Sequence, residues 1–220
     1  MSDVVENLRR VRSSVPGGVE LIAVSKFHPV PVLQEAYDAG QRLFGENRPQ
    51  ELHEKAPQLP ADIRWHFIGH LQTNKIKMVL PYAYMVQSID SERLLRAVDD
   101  WGRANSKQIR CLLELHLGAE ETKHGFSEEE IRGILDHAAD YGSVVFCGLM
   151  GMATNTPDEA VIRADFARIS ALKTALQQEY PSLTEFRELS IGMSQDYKIA
   201  LEYGATMVRV GTAIFGPREY

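Results

Sequence analysis

Eight short apolar runs recur along the chain, and longer amphipathic stretches at helical spacing lie between them. This alternation constrains the fold more than any other feature, because repeated strand–helix units pair their strands in parallel. The runs span 20–25, 42–45, 65–68, 83–87, 110–117, 144–149, 185–190 and 206–210, rich in β-branched and apolar residues with Gly or Pro nearby. The helical stretches span 31–39, 47–56, 74–80, 91–105, 127–141, 157–179 and 195–203. Several carry end signals. Ser91 stands as an N-cap, and Ser127 followed by three glutamates reads as a capping box. Thr156-Pro157-Asp158 reads as a cap followed by a first-turn proline, and Gly204 reads as a left-handed C-cap. With 220 residues, each of eight units receives about 27, compact but sufficient for a (β/α)₈ barrel. An open doubly wound sheet is the competing α/β architecture, but no G-x-G-x-x-G follows the first run. The expectation is one barrel domain over 1–220, with an extra N-terminal helix flanking it.

A net charge of −6 and a pI near 5.7 argue against nucleic acid and membrane surfaces as partners, since both need a basic face. A local basic pocket for one phosphate remains open. Cys111 and Cys147 each sit in an apolar run and read as reduced, inert thiols. The N-terminal MSDVVENLRRVRSSV lacks the unbroken apolar core of a signal peptide, and no run reaches membrane-spanning length. A cytoplasmic protein is expected.

In such a barrel the chemistry gathers at the C-terminal ends of the strands. Lys26 ends the first run, where desolvation would lower its pKa and free the amine for a Schiff base. Position alone favours the plainer reading, a lysine snorkelling into water. Asn47 falls at the second strand-to-helix turn, either capping the next helix or aiming its amide at a ligand. His66 lies inside the third run, as a satisfied core residue or as a ring stacked on a flat cofactor. Its spacing to His70 does not fit a metal pair, because the segment is not helical. Gly148 to Thr154 combines small residues with methionines, suiting a tight turn or core packing.

The last two units say most. Leu189-Ser190-Ile191-Gly192-Met193-Ser194 and Val208-Arg209-Val210-Gly211-Thr212 both place hydroxyls beside glycine just after a strand. Phosphate sites in these barrels recur after strands seven and eight. Two tight turns with helix caps would also explain them. Arg209, inside an apolar strand, needs a partner: a ligand ring nitrogen, a phosphate or an internal carboxylate.

The segments AVSKFHPV, FGENRPQEL, WHFIGHLQTNKIK, VQSIDSERL, TKHGF, GLMGMAT and LSIGMSQDYKIALEYGATMVRVGTAIFG stand in one order from Leu21 to Gly216. Together they resemble the pyridoxal phosphate homeostasis family. The resemblance implies a barrel similar to the N-terminal domain of alanine racemase, with pyridoxal 5′-phosphate held as a Schiff base on Lys26. It implies phosphate against Ser190, Gly211 and Thr212, with backbone help around Met193 and Ser194. It places Arg209 facing the pyridine nitrogen, and Asn47 and His66 lining the cofactor's other side. Arg48-Pro49 and His124 depart from the family's usual pattern.

The function so implied is no enzyme activity but a cytoplasmic cofactor carrier or buffer that affects amino-acid and keto-acid balance, with pyridoxal-dependent apo-enzymes as acceptors. The physics agrees, because an arginine opposite the ring nitrogen keeps it neutral and weakens carbanion stabilisation. A racemase would also need the β-rich second domain that completes the site in alanine racemase and joins its subunits. The expectation is therefore a monomer without that domain. Two other readings stay open: a weak racemase-like enzyme, and a barrel enzyme acting on phosphorylated metabolites without pyridoxal.

Overall fold

Eight parallel strands close into a barrel in order β1 to β8 in a computed structural model that describes residues 2–118 and 125–217. The strands are β1 Glu20–Val24, β2 Leu43–Glu46, β3 Arg64–Phe67, β4 Ala83–Ile89, β5 Ile109–Leu115, β6 Val144–Gly151, β7 Glu188–Ser190 and β8 Met207–Val210. The helices among the described residues are α1 Asp3–Ser13, α2 Val30–Asp38, α3 Pro49–Lys55, α4 Ile76–Val79, α5 Glu92–Ala104, α6 Glu128–Asp136, α7 Glu159–Glu179, α8 Tyr197–Glu202 and α9 Thr212–Phe215. The barrel is the expected one, and the doubly wound sheet is excluded by the pairing of β1 with both β2 and β8. The leading helix α1 crosses that seam, where the Asn7 amide donates to the Ile214 carbonyl at 3.3 Å.

Strand alternation divides the core in two. Leu21, Ala23, Phe44, Trp65, Phe67, Leu113 and Val208 point outward into the layer between strands and helices. Ile22, Met85, Leu112, Cys147, Met150 and Met207 fill the barrel interior. The same alternation carries Val24 and Lys26, Glu114, and Arg209 and Gly211 up to the C-terminal mouth, where all five line one cavity. Gly148 makes the interior irregular. Its φ is +146°, and a Cβ there would lie 1.9 Å from the Glu188 carbonyl oxygen, so β6 meets β7 only because no side chain intervenes.

The helix ends follow the expected chemistry with some shifts. Ser91 caps α5 through the Leu94 amide, and Ser127 and Glu130 form a full capping box on α6. Gly204 has φ +77° just past α8. The cap of α7 is Asp158, which accepts from the Ala160 amide, rather than Thr156, whose hydroxyl oxygen accepts from the Asp158 amide. Strand β7 starts at Glu188, later than expected, because turn hydrogen bonds from Leu183, Phe186 and Arg187 amides occupy the preceding backbone. The stretch expected as one helix over 127–141 breaks after Asp136 into a 3₁₀ turn, Ala138–Asp140. Cys111 and Cys147 are both buried, and burial pushes the Cys147 thiol up to about 11. His124 and the rest of its TKH segment lie outside the described residues.

Candidate functional site

The cavity at the mouth measures about 890 Å³. Of the nine residues expected to form a site, seven line it: Lys26, Asn47, Met193, Ser194, Arg209, Gly211 and Thr212. His66 and Ser190 do not. Both lie one layer lower, fully buried.

Lys26 is presented by a clamped loop. Ser25 donates its amide to Gly45 at 3.0 Å, extending the β1–β2 pairing by one step. Phe27 then turns sharply, with φ +67°, a left-handed conformation unusual for an aromatic residue. A buried ionic cluster holds both neighbours of Lys26. The Lys55 ammonium donates to the Ser25 carbonyl at 3.0 Å, to Glu46 Oε1 at 2.8 Å and to Glu51 Oε2 at 2.7 Å. Ser25 donates its hydroxyl to Glu46 Oε1 at 2.7 Å, and the Phe27 amide donates to Glu51 Oε2 at 2.8 Å. Burial pushes the Glu46 carboxyl above its ordinary range against the pull of Lys55. Burial acts on Glu51 in the same sense, but Lys55, the Phe27 amide and Arg48 outweigh it and hold that carboxyl low.

Asn47 does not cap α3. Arg48 occupies the N-cap position, without a side-chain cap, and the Asn47 Oδ1 atom is buried with no hydrogen-bond partner among the described residues. A buried unsatisfied carbonyl on a cavity wall is a costly arrangement that a ligand donor would relieve.

On the opposite wall Arg209 is 4% exposed. Its guanidinium donates to the Ser190 carbonyl at 2.7 Å, the Ser190 hydroxyl at 2.6 Å and the Gly151 carbonyl at 2.9 Å. The Ser190 hydroxyl passes its own proton to Gln87 Oε1 at 2.6 Å, and Gln87 Nε2 lies 2.9 Å from His66 Nδ1. That direction makes Nδ1 the acceptor, so the His66 proton sits on Nε2, an atom with no partner among the described residues. Burial, aided by the charge of Arg64, lowers the His66 pKa to about 3, so the ring is neutral. The row of groups turns its negative ends toward Arg209. Burial lowers Arg209 to about 10, opposed by Glu114 and Asp196, and it remains a cation at neutral pH.

The loops after β7 and β8 meet, as the paired glycine and hydroxyl motifs require. The Gly211 amide donates to Ser194 Oγ at 3.1 Å, and the Met193 amide donates to Asp196 Oδ1 at 2.5 Å. Gly192, at φ +89°, has Ala200 and Tyr197 within 3 Å of where a Cβ would stand, so only glycine lets the loop fold over α8.

Several residues of this site are absent from the sequence reading. Glu114 faces the cavity, and burial together with Asp90 pushes it up to about 7 against the pull of Arg209. Asp90, nearly buried, binds His70 Nδ1 at 2.7 Å. Glu114 shares with Arg209 the one signal that was available, a charge inside an apolar strand. The Lys55 cluster offered only its i,i+4 pair with Glu51, an ordinary helix-surface pattern, since Ser25 and Phe27 lie far off in sequence.

Comparison with known proteins identifies the group. The profile of the family described as alanine racemase, N-terminal domain, matches residues 1–219. The pyridoxal phosphate homeostasis protein of Vibrio alginolyticus is 34% identical, with 100% of both chains covered. The human protein of that name is 37% identical over 91% of this chain and 77% of its own. PipY of Synechococcus elongatus, solved with PLP bound, is 37% identical at a TM-score of 0.90, covering 97% of this chain and 100% of that one. Alanine racemase from Streptomyces coelicolor, 22% identical at a TM-score of 0.70 over 96% of this chain and 57% of its own, shares the fold. The chain thus belongs to the pyridoxal phosphate homeostasis proteins, within the family of the alanine racemase N-terminal domain.

Proposed function

We propose that this protein binds pyridoxal 5′-phosphate at the barrel mouth, as a Schiff base on Lys26, and acts as a cytoplasmic carrier or buffer rather than as an enzyme. The observation that carries the reading is the placement of Lys26, Arg209 and the orphaned Asn47 carbonyl on one cavity with the hydroxyl-bearing loops after β7 and β8. Relatives named for pyridoxal phosphate homeostasis, and PipY with PLP bound, support it.

The residues fit the group. When bound, the cofactor supplies an aldehyde, the electrophile that a lysine amine can trap. Lys26 provides the amine, held in place through both chain neighbours. Ser194 and Thr212 offer hydroxyl donors to the phosphate beside Gly211 and the Met193 backbone. Arg209 would face the ring nitrogen as a fixed cation and would leave it without a proton. Ser190 acts from beneath by holding Arg209 directly, and His66 backs it through Gln87. Asn47 would offer its carbonyl to the ring's other side. The protein works as a monomer, with pyridoxal-dependent apo-enzymes as acceptors and an effect on amino-acid and keto-acid pools.

The test is borohydride reduction of the protein loaded with pyridoxal phosphate, followed by mass analysis. A pyridoxyl adduct is expected on the Lys26 peptide, and Lys26→Ala should abolish it while leaving the fold intact. An adduct spread over other lysines, or none, would overturn the covalent assignment. Transfer of cofactor to an apo-enzyme, with no deuterium exchange at the α-carbon of supplied amino acids, is the result that separates carrier from enzyme.

A further inference from the structure

In the barrel order β5 stands opposite β1, and it carries a carboxylate that none of the roles above uses. Glu114 is 6% exposed and lines the cavity, yet its carboxyl group makes no hydrogen bond or ion pair with any described residue. A carboxylate so deeply placed is ordinarily hydrogen-bonded or neutralised. The charged and titratable groups around it belong to several strands. Asp90 follows β4 and is held by His70 from beyond β3. His116 lies two residues further along the chain and also lines the cavity. Arg209 reaches in from β8, with Asp196 near it. The hydrogen bonds of Arg209 run to neutral oxygens, so it lends Glu114 a field without pairing to it.

The mouth therefore has a lysine on one wall and, on the other, a carboxyl with no ion-pair partner among the described residues. We infer that Glu114 is the anionic end of a subsite for the ammonium group of a small primary amine, R–NH3⁺, entering the mouth. The apolar walls around Leu115 and Ile68 take the amine's carbon chain. When the amine reacts it must shed one proton. Glu114 is placed to accept it, giving R–NH2 and a carboxylic acid with no other change, and a carboxyl that titrates near neutrality suits that exchange. The subsite stands on its own geometry. Its consequence for a cofactor rests on the reading above: a neutral amine at this wall is the form able to compete with Lys26 for an aldehyde.

The probe is n-butylamine, titrated into the cofactor-free protein and followed by calorimetry and by the ¹³C resonance of the Glu114 carboxyl. Saturable binding is expected at a pH of about 8, with the Glu114 titration moved to lower pH by the bound cation. Affinity should fall by about tenfold per pH unit once Glu114 takes up its proton. In Glu114→Gln the affinity should drop at least about tenfold and lose its pH dependence, and Glu114→Asp should restore the pH dependence in part. Equal binding by the wild type and Glu114→Gln, or no saturable binding, overturns the subsite. Borohydride trapping separates the two readings. A Glu114→Gln protein that still gains its adduct at Lys26 but loses butylamine supports both. A wild type that binds butylamine through Glu114 yet gains no Lys26 adduct keeps the subsite and sinks the covalent cofactor reading.

Discussion

Two cations are buried almost equally in this barrel, Lys55 at 7% exposure and Arg209 at 4%, and they are satisfied in opposite ways. Lys55 meets two carboxylates and a carbonyl. Arg209 meets two carbonyls and a hydroxyl, the last backed by Gln87 and His66. The first charge is cancelled where it stands, so Lys55 is a strut that ties Ser25 and Phe27 to β2 and α3. The second is solvated by oriented neutral dipoles but not cancelled, so it still acts on whatever enters the mouth. Burial alone does not distinguish a structural ion from a functional one. The charge of its acceptors does.

Three substitutions sharpen or break this contrast. The largest effect belongs to Lys55→Met, which leaves buried Glu46 without a cation and Glu51 with only Arg48, at 3.9 Å. A loss of about 3–5 kcal/mol in urea denaturation is expected, with slower borohydride trapping at Lys26. A loss under about 1 kcal/mol with trapping unchanged would show that the cluster is not a strut.

Next comes Glu114→Gln. Its carboxyl is raised from 4.5 to about 7, so the folded protein holds that proton more tightly than the unfolded chain. Stability is therefore lost as pH rises from about 4.5 through about 7, and the glutamine variant escapes that loss. A gain of up to roughly 3 kcal/mol is expected at a pH of about 8, vanishing below about 4. If Glu114 were instead the ion-pair partner of Arg209, the variant would be destabilised at the higher pH, and the contrast between the two cations would collapse. The smallest effect is Ser190→Ala, which removes one neutral acceptor from Arg209 and one donor from Gln87. About 1–2 kcal/mol is expected from thermal or urea unfolding. A loss as large as that of Lys55→Met would mean that the neutral acceptors of Arg209 matter as much as an ion pair.

Much of this was legible in the sequence. Strand alternation gave every strand, because an apolar run must bury both faces in a parallel barrel. The glycine and hydroxyl motifs marked the loops after β7 and β8, since close backbone approach demands glycine there. Arg209 stood out as a charge in an apolar strand. What stayed hidden depends on long-range partners. Lys55 reads as one more charged helix residue until Ser25, 30 positions away, is seen to share its ammonium. Nothing local reveals that the Ser190 hydroxyl is engaged by Arg209 and Gln87. Glu114 carried the same signal as Arg209, and only the folded barrel gives that signal a cavity to face.

The left-handed turn at Phe27 has a consequence for how such a protein can be altered. A non-glycine residue held at φ +67° stores on the order of 1–3 kcal/mol of conformational strain, retained by its bond to Glu51 and by the Arg48 guanidinium, whose carbon lies 4.3 Å from the ring centroid. Selection for heat resistance alone would relax that strain, most simply by replacing Phe27 with glycine. The same step would loosen the bend that fixes the neighbouring lysine, so at this position endurance and the placement of Lys26 are competing demands.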